Sequence, residues 1–449
     1  MQENINSGNY SLIERVMRLF THLRPGEGKA TLWLAGYAFL LLLIYYMLKP
    51  IREALILAEH SAEMRSYTIA LQALVLLFLV PIYGNLIRGK GAEKTLSRVS
   101  LLVAISLLVF GSLYVLELPV AVPFYVWLGV INVLLIAQFW AYAADVHTPD
   151  EGKRLFAFIA AGASFGALVG AQVSSKLFQL IGAQGLMLTA ALLLLSTMWL
   201  PKWLAMVSKS QEQQEPVSVS LKAGFDTVLS SRYLLIIAAF VVLLNCINTT
   251  GEYILAKWVS HYAQEQADAT LYIGQFYGNF YTWVNLLSML IQLLLVSRIL
   301  QWINVHGAIL ILPFVALVGY GLATFIPIFS LFHLIKVAEN SVDYSLQNTA
   351  RHALFLPLKQ RQIYEGKTVI DALCWRIGDL AHVAIVFIGH KLMDFEHREF
   401  AAINLAISVL WIVLALRLAK MNKSLVLEQQ HEINGQLPAT NARATNRDA

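Results

Sequence analysis

The chain has 449 residues, a formal net charge of +5, 58% hydrophobic residues and only 14% charged ones. A soluble protein carries about a quarter charged residues, so this chain lacks the polar side chains to coat the domains that its length would otherwise form. The basic balance does not point to nucleic acid, because the lysines and arginines sit in short connections between apolar runs. The two cysteines, Cys246 and Cys374, both lie inside apolar segments, which excludes a disulfide framework or a zinc site as the organising device.

Residues 1–31 are polar and lack a basic-apolar-small cleavage pattern, so the first apolar run reads as a retained span behind a cytoplasmic N-terminal segment. A helix needs about 20 apolar residues to cross the hydrocarbon core. Runs that qualify lie near 32–57, 66–87, 99–117, 122–145, 154–180 and 185–206. A linker at 207–231 follows, with a polar heart from Ser208 to Pro216 and an amphipathic piece over 217–231. Six more runs lie near 232–257, 271–298, 304–325, 328–350, 367–392 and 400–419, and the polar tail, 421–449, is expected to be disordered. With the N-terminus inside, cytoplasmic connections hold most of the basic residues, among them Arg98, Lys153, Arg154, Arg298, Arg351 and Lys367, while the opposite side holds only Arg65, Lys176, Lys257, Lys391 and Arg398. That bias places both termini in the cytoplasm.

The two sets of spans echo each other. Glu151-Gly152-Lys153 opens the fifth run and Glu365-Gly366-Lys367 opens the eleventh. The expected fold is therefore an all-α membrane protein, with twelve transmembrane helices in two pseudo-symmetric six-helix bundles, 32–206 and 232–420. This is a major facilitator-like plan with its site at the midplane between the halves.

Ionisable groups within apolar spans carry the functional signal, since each costs about 2.5–3.5 kcal/mol at a helix centre unless paired or wetted. On the first span Lys49, Arg52 and Glu53 fall at i, i+3 and i+4 on one face, and Pro50 between them is expected to bend or loosen the helix. They read as a cationic anchor for an anionic solute, or as snorkelling residues near an interface. Glu252 lies almost as deep on the seventh span as Lys49 on the first, and reads either as a partner of Lys49 across the pseudo-axis in the empty state or as an i,i+5 associate of Lys257 near the interface. The tenth span aligns Lys336, Glu339, Asp343 and Gln347 in one stripe, either a cavity wall or, for the first two, a structural ion pair. The eleventh carries Asp371, Trp375, Arg376, Asp379 and His382, a gate or proton path on one reading and a buried salt-bridge network on the other. Two small-residue motifs, Gly162/Gly166/Gly170 on the fifth span and Gly274/Gly278 on the eighth, signal close helix packing. A fit of these two spans to each other would form a pivot.

Taken together these segments resemble the ATP:ADP antiporter family, the nucleotide transporters of plastids and intracellular bacterial parasites. The likeness rests on Lys49-Pro-Ile-Arg52-Glu53-Ala-Leu55, on Phe139-Trp140 followed by Glu151-Gly-Lys153-Arg154-Leu-Phe156, and on Tyr344-Ser-Leu346, Arg351, Leu356-Pro-Leu358, Gly366-Lys367 and Ile370-Asp371. It implies that Lys49, Arg52, Glu151, Glu252 and Arg351 contribute to nucleotide exchange, with arginine and lysine on phosphate oxygens and an aromatic such as Tyr46 or Trp375 against adenine. The sequence departs from the family pattern at Asp379, where nucleotide exchangers tend to have lysine, and at His352, where they often have glutamate.

The expected function is secondary transport of a nucleotide or other phosphorylated anion by alternating access and exchange, across a bacterial inner membrane. The expected protein is a monomer with no enzymatic activity, cofactor, metal or nucleic-acid partner. Its partners are the lipid bilayer and a small anionic solute such as ATP or ADP. The alternatives are proton-coupled transport of a different polar solute, and a membrane sensor or scaffold.

Overall fold

The structure is a computed structural model describing residues 11–18, 21, 23–87, 92–200 and 221–436. The polar heart of the linker, Arg88, Lys90 and the last residues of the tail lie outside the described residues. Among those described, the chain is helical throughout: α1 (Leu12–Met17), α2 (Gly28–Glu59), α3 (Ala62–Ile87), α4 (Ala92–Val115), α5 (Ala121–Val146) and α6 (Pro149–Thr197) precede the linker. After it come α7 (Leu221–Ser230), α8 (Arg232–Ala263), α9 (Ala269–Leu294), α10 (Val296–Phe325), α11 (Phe329–Val342), α12 (Asn348–Ala353), α13 (Gln360–Val369), α14 (Trp375–Met393) and α15 (His397–Gln436).

Local chemistry sets several of these ends. Thr148 caps α6, accepting from the Glu151 backbone N–H, while Glu151 accepts from the Thr148 N–H at 2.8 Å and Pro149 fills the first turn. Asp268 caps α9 by accepting from the Leu271 N–H at 2.9 Å. The expected fifth and sixth spans run on as α6 and are broken only at Gly182, whose φ of 64° suits a residue without a Cβ. Asn304 makes the equivalent break in α10 at φ 57° and ψ −178°, a positive-φ extended conformation that is strained for a residue with a Cβ. Against expectation, α2 passes through Pro50 without a non-helical residue. The last helix also continues beyond the span expected to end near 419, through Gln436.

Nine helices among the described residues are long and apolar enough to cross a membrane. Two expected spans, 271–298 and 328–350, fall outside this set for a physical reason. The first, α9, carries Gln275, Asn279 and Asn285, which reach toward α6. The second is charged, and it is divided by a π-helical turn at Asp343–Gln347 into α11 and α12. A second π turn, Ile370–Cys374, divides the eleventh span into α13 and α14. Such turns recur at functional sites. Exposed apolar side chains such as Phe78, Leu180, Phe325 and Leu392 cover the outside, an unfavourable surface in water and the natural one in lipid.

The densest packing is α2 against α6. Gly162, Gly166 and Gly170 line up under the Ala35, Phe39 and Leu43 carbonyls, where an added Cβ would come within 2.6, 2.1 and 2.2 Å. The doubled small-residue motif therefore seats the fifth span on the first. The eighth-span glycines do meet the fifth span, but at other residues: Gly274 lies against Phe178 and Gly278 against Ser175.

Candidate functional site

The charges of the first span converge where α2, α3, α8 and α9 meet. Lys49 is buried, and among the described residues no carboxylate forms an ion pair with it. Its Nζ lies instead over the Tyr281 ring at 3.9 Å from the centroid, with Tyr46 at 5.3 Å and Tyr344 at 5.9 Å. The rings come from α2, α9 and the π turn, so both segments of the chain build this box. A cation held against ring faces retains electrostatic stabilisation, but an ammonium has three donors and tyrosine faces accept none of them well. The arrangement suits an anion that enters and takes those donors.

One turn on, Arg52 stacks on Tyr125 at 4.2 Å and pairs with Glu53 through Nε and Nη2. The other oxygen of Glu53 accepts from Arg65 Nε at 2.6 Å, and Arg65 Nη2 reaches Glu252 across to α8 at 3.0 Å. Arg52, Glu53, Arg65 and Glu252 thus form one chain of charge that spans both segments. The expected Lys49–Glu252 pair is not formed. Arg65, wholly buried in the first turn of α3, takes Glu252 instead, although Lys49 and Lys336 also act electrostatically on that carboxylate.

The remaining charges pair close to home. Lys336 bonds Glu339 at 3.1 Å and the Asn248 side chain at 2.9 Å, and Tyr320 donates to Glu339 at 2.8 Å. For these two residues the structural-pair reading holds. Asp343, at the start of the π turn, is buried. Arg351 pairs with Asp371 at 2.8 Å and lies 5.3 Å from the Trp375 ring, and Arg376 pairs with Asp379 at 3.1 Å. Asp379 also accepts from Asn245 at 2.7 Å. Glu151 does not join the group: its carboxylate is spent on the α6 cap. His382 bridges the two segments, with Nδ1 3.0 Å from Thr250 Oγ1 and Nε2 3.1 Å from Ser66 Oγ.

Three of these groups keep solvent contact, with side chains 21% (Glu252), 35% (Asp371) and 22% (Arg376) exposed. Beyond Arg65, at the end of the molecule carrying the α2–α3 turn, a pocket of about 500 Å³ opens between Leu57–Glu63 and Lys257–Gln264. Sequence reasoning misses the rings Tyr281 and Tyr125 and, among the charges, Arg65. In the sequence Arg65 falls among loop charges, because Glu59, His60, Glu63 and Arg65 read as a polar connection. The only signal available was that α3 is apolar beyond it.

The family described as TLC ATP/ADP transporter matches residues 121–334. ADP,ATP carrier protein 1 of Chlamydia pneumoniae is 22% identical over 365 residues, covering 69% of each chain. ADP,ATP carrier protein 1 of Chlamydia trachomatis is 22% identical over 339 residues, covering 65% of this chain and 63% of that one. The chain thus spans about two thirds of the length of the curated relatives it matches. Among solved structures, the nucleoside transporter NupG is similar with a TM-score of 0.66 at 11% identity, over 88% of this chain and 99% of that one. A bacterial homologue of the iron transporter ferroportin, in its inward-facing state, gives 0.62 at 12%, over 87% and 98%. Likenesses at such identity show a shared helical fold.

Proposed function

We propose that this chain, a member of the ATP:ADP antiporter family, is a secondary transporter that exchanges adenine nucleotides across a bacterial inner membrane by alternating access. Both termini are placed in the cytoplasm, in keeping with the basic bias of the connections on that side. The twelve-span plan is part of this reading. The breaks at Gly182 and at the two π turns divide the long helical stretches where such spans would begin or bend.

The observation that carries the reading is Lys49, a buried ammonium with no ion-pair partner among the described residues, boxed by Tyr46, Tyr281 and Tyr344 beside Arg52. Phosphate oxygens supply what the box lacks, namely acceptors for three charge-assisted hydrogen bonds. The tyrosine faces supply a surface on which adenine stacks. Arg351, near the end of α12 and 5.3 Å from the Trp375 ring, is assigned in this reading to the entry route of the nucleotide. Asp379, already satisfied by Arg376 and Asn245, adds no free negative charge to that route.

The test is uptake of labelled ATP by the purified protein in liposomes. Vesicles preloaded with ADP should accumulate label and empty ones should not. Lys49→Gln should lower exchange roughly tenfold to a hundredfold, the worth of a charge-assisted bond or two. Equal uptake into empty and preloaded vesicles would refute exchange. Uptake of other solutes but no nucleotide would refute the substrate.

A further inference from the structure

We propose that Arg65 is a positioning residue for transport, one that ties the two segments together through Glu252 and makes reorientation of the carrier depend on a bound anion. This deepens the exchange reading and rests on it.

Arg65 is fully buried and its two engaged nitrogens serve opposite segments: Nε holds Glu53 of α2 and Nη2 holds Glu252 of α8. Its third nitrogen, Nη1, is buried with no hydrogen-bond partner among the described residues. Around this bridge the same interface is closed by Ser66–His382–Thr250 and by Tyr253 donating to Glu63 at 2.7 Å, with His390 3.8 Å from the same carboxylate. Opening the end that carries the α2–α3 turn requires the Arg65–Glu252 bond to break. Breaking one bond of a buried ion pair is unfavourable unless each charge finds another partner.

The geometry says when that partner exists. One Glu53 oxygen is taken by Arg52 and the other by Arg65. Arg52 fills the first of these oxygens with two donors, Nε and Nη2, so in the empty carrier Arg65 cannot close a two-oxygen fork on Glu53 in place of its bond to Glu252. An anion on Lys49 draws on Arg52, its neighbour one helical turn away. The Glu53 oxygen that Arg52 leaves can then accept from Arg65 Nη2, which lies on the same edge of the guanidinium as Nε, so that the two close a two-pronged pair as Nη2 leaves Glu252. Glu252, released, stays within the field of Lys49 and Lys336. Every charge remains compensated while the bridge between the segments opens. Without the anion no such exchange of partners is available, and the empty carrier stays shut.

Lysine at position 65 keeps the charge but loses the fork that serves Glu53 and Glu252 together. In proteoliposomes, Arg65→Lys should raise ATP uptake into empty vesicles relative to ADP-loaded ones by about tenfold, the step set by weakening one buried charge-assisted bond. A merely structural defect would lower both uptakes alike, and an unchanged ratio would overturn the proposal. A second measurement does not depend on transport. With Cys246 and Cys374 replaced by alanine, Ala62→Cys, buried beside the pocket, is probed with a membrane-impermeant maleimide. Arg65→Lys should speed labelling in the absence of nucleotide to the rate that unmutated Arg65 reaches only with ATP. Equal rates without nucleotide would overturn the proposal. If the parent protein exchanges no nucleotide at all, the exchange reading fails, and the labelling comparison still decides whether Arg65 holds this end shut.

Discussion

At the scale of single residues, charge inside an apolar helix is informative in proportion to how poorly it is compensated. Lys336 and Glu339 answer each other, and removing either leaves the other buried and alone. Lys49 is different, because its surroundings are aromatic. Lys49→Gln should therefore abolish most exchange while leaving thermal stability in detergent near that of the parent, whereas Lys336→Gln should lower the melting temperature, because losing one partner of a buried pair costs about 3–5 kcal/mol. The two readings separate in a single melting and uptake series. Glu27, just before α2, gives a pH signature. Burial works against its charge, but two bonds from Arg154 and the Arg24 backbone N–H outweigh it and hold the carboxyl below its usual range. A depressed carboxyl contributes stability that is present above its unfolded pKa and lost as pH falls through the folded one. Melting temperatures measured from pH 7 downward should fall more steeply at acid pH for the parent than for Glu27→Gln. Parallel curves would show that the pair carries no stability.

At the scale of elements, the α2–α6 contact is made by absent side chains. Gly166 brings the two backbones so close that a Cβ would lie 2.1 Å from the Phe39 carbonyl oxygen, whereas Gly36, on the same α2, has nothing within 4 Å of its would-be Cβ. Gly166→Leu should cost about 1–3 kcal/mol or more by overpacking, read as a lower melting temperature and poor recovery of folded protein. Gly36→Leu should change little. The helices themselves, and the small-residue stripe, were legible in the sequence because lipid imposes a length and a composition on anything that crosses it. Their partners were not. Gly162, Gly166 and Gly170 declare a close approach without naming the helix that approaches, which proves to be α2 and not α9. The same limit explains Arg65 and Glu252. Glu252 stands out within an apolar run, while Arg65, two residues after Glu63 in a polar connection, becomes a buried charge only when α8 and α14 fold over α3. Glu151 errs in the other direction, since a motif shared with the antiporter family also satisfies an ordinary helix cap.

At the scale of the whole molecule, the described polar contacts between residues 11–200 and 221–436 fall in two bands. One runs along α6 and α9: Ser175 donates to Asn279 at 2.7 Å, Asn285 donates to the Ala167 carbonyl at 3.3 Å, and Gly278 lies against Ser175. The other closes the end with the α2–α3 turn through Arg65, Ser66 and Glu63. The bands differ in kind. The first is close backbone packing with neutral hydrogen bonds, which a rotation about its own line would preserve. The second is a set of charge-assisted and histidine contacts that the same rotation must break, and their partners have alternatives nearby. If the segments rock about α6 and α9, fixing the first band should be tolerated and fixing the second should not. A short bifunctional cross-link between Ser175→Cys and Asn279→Cys should leave nucleotide exchange within about twofold of the uncross-linked protein, since packed interfaces move as rigid bodies. The same reagent joining Ser66→Cys to His382→Cys should stop exchange, with recovery on cleavage of the linker. Loss of transport from the α6–α9 link would move the pivot elsewhere, and persistence of transport with α3 tied to α14 would mean that this end need not open for the solute to cross.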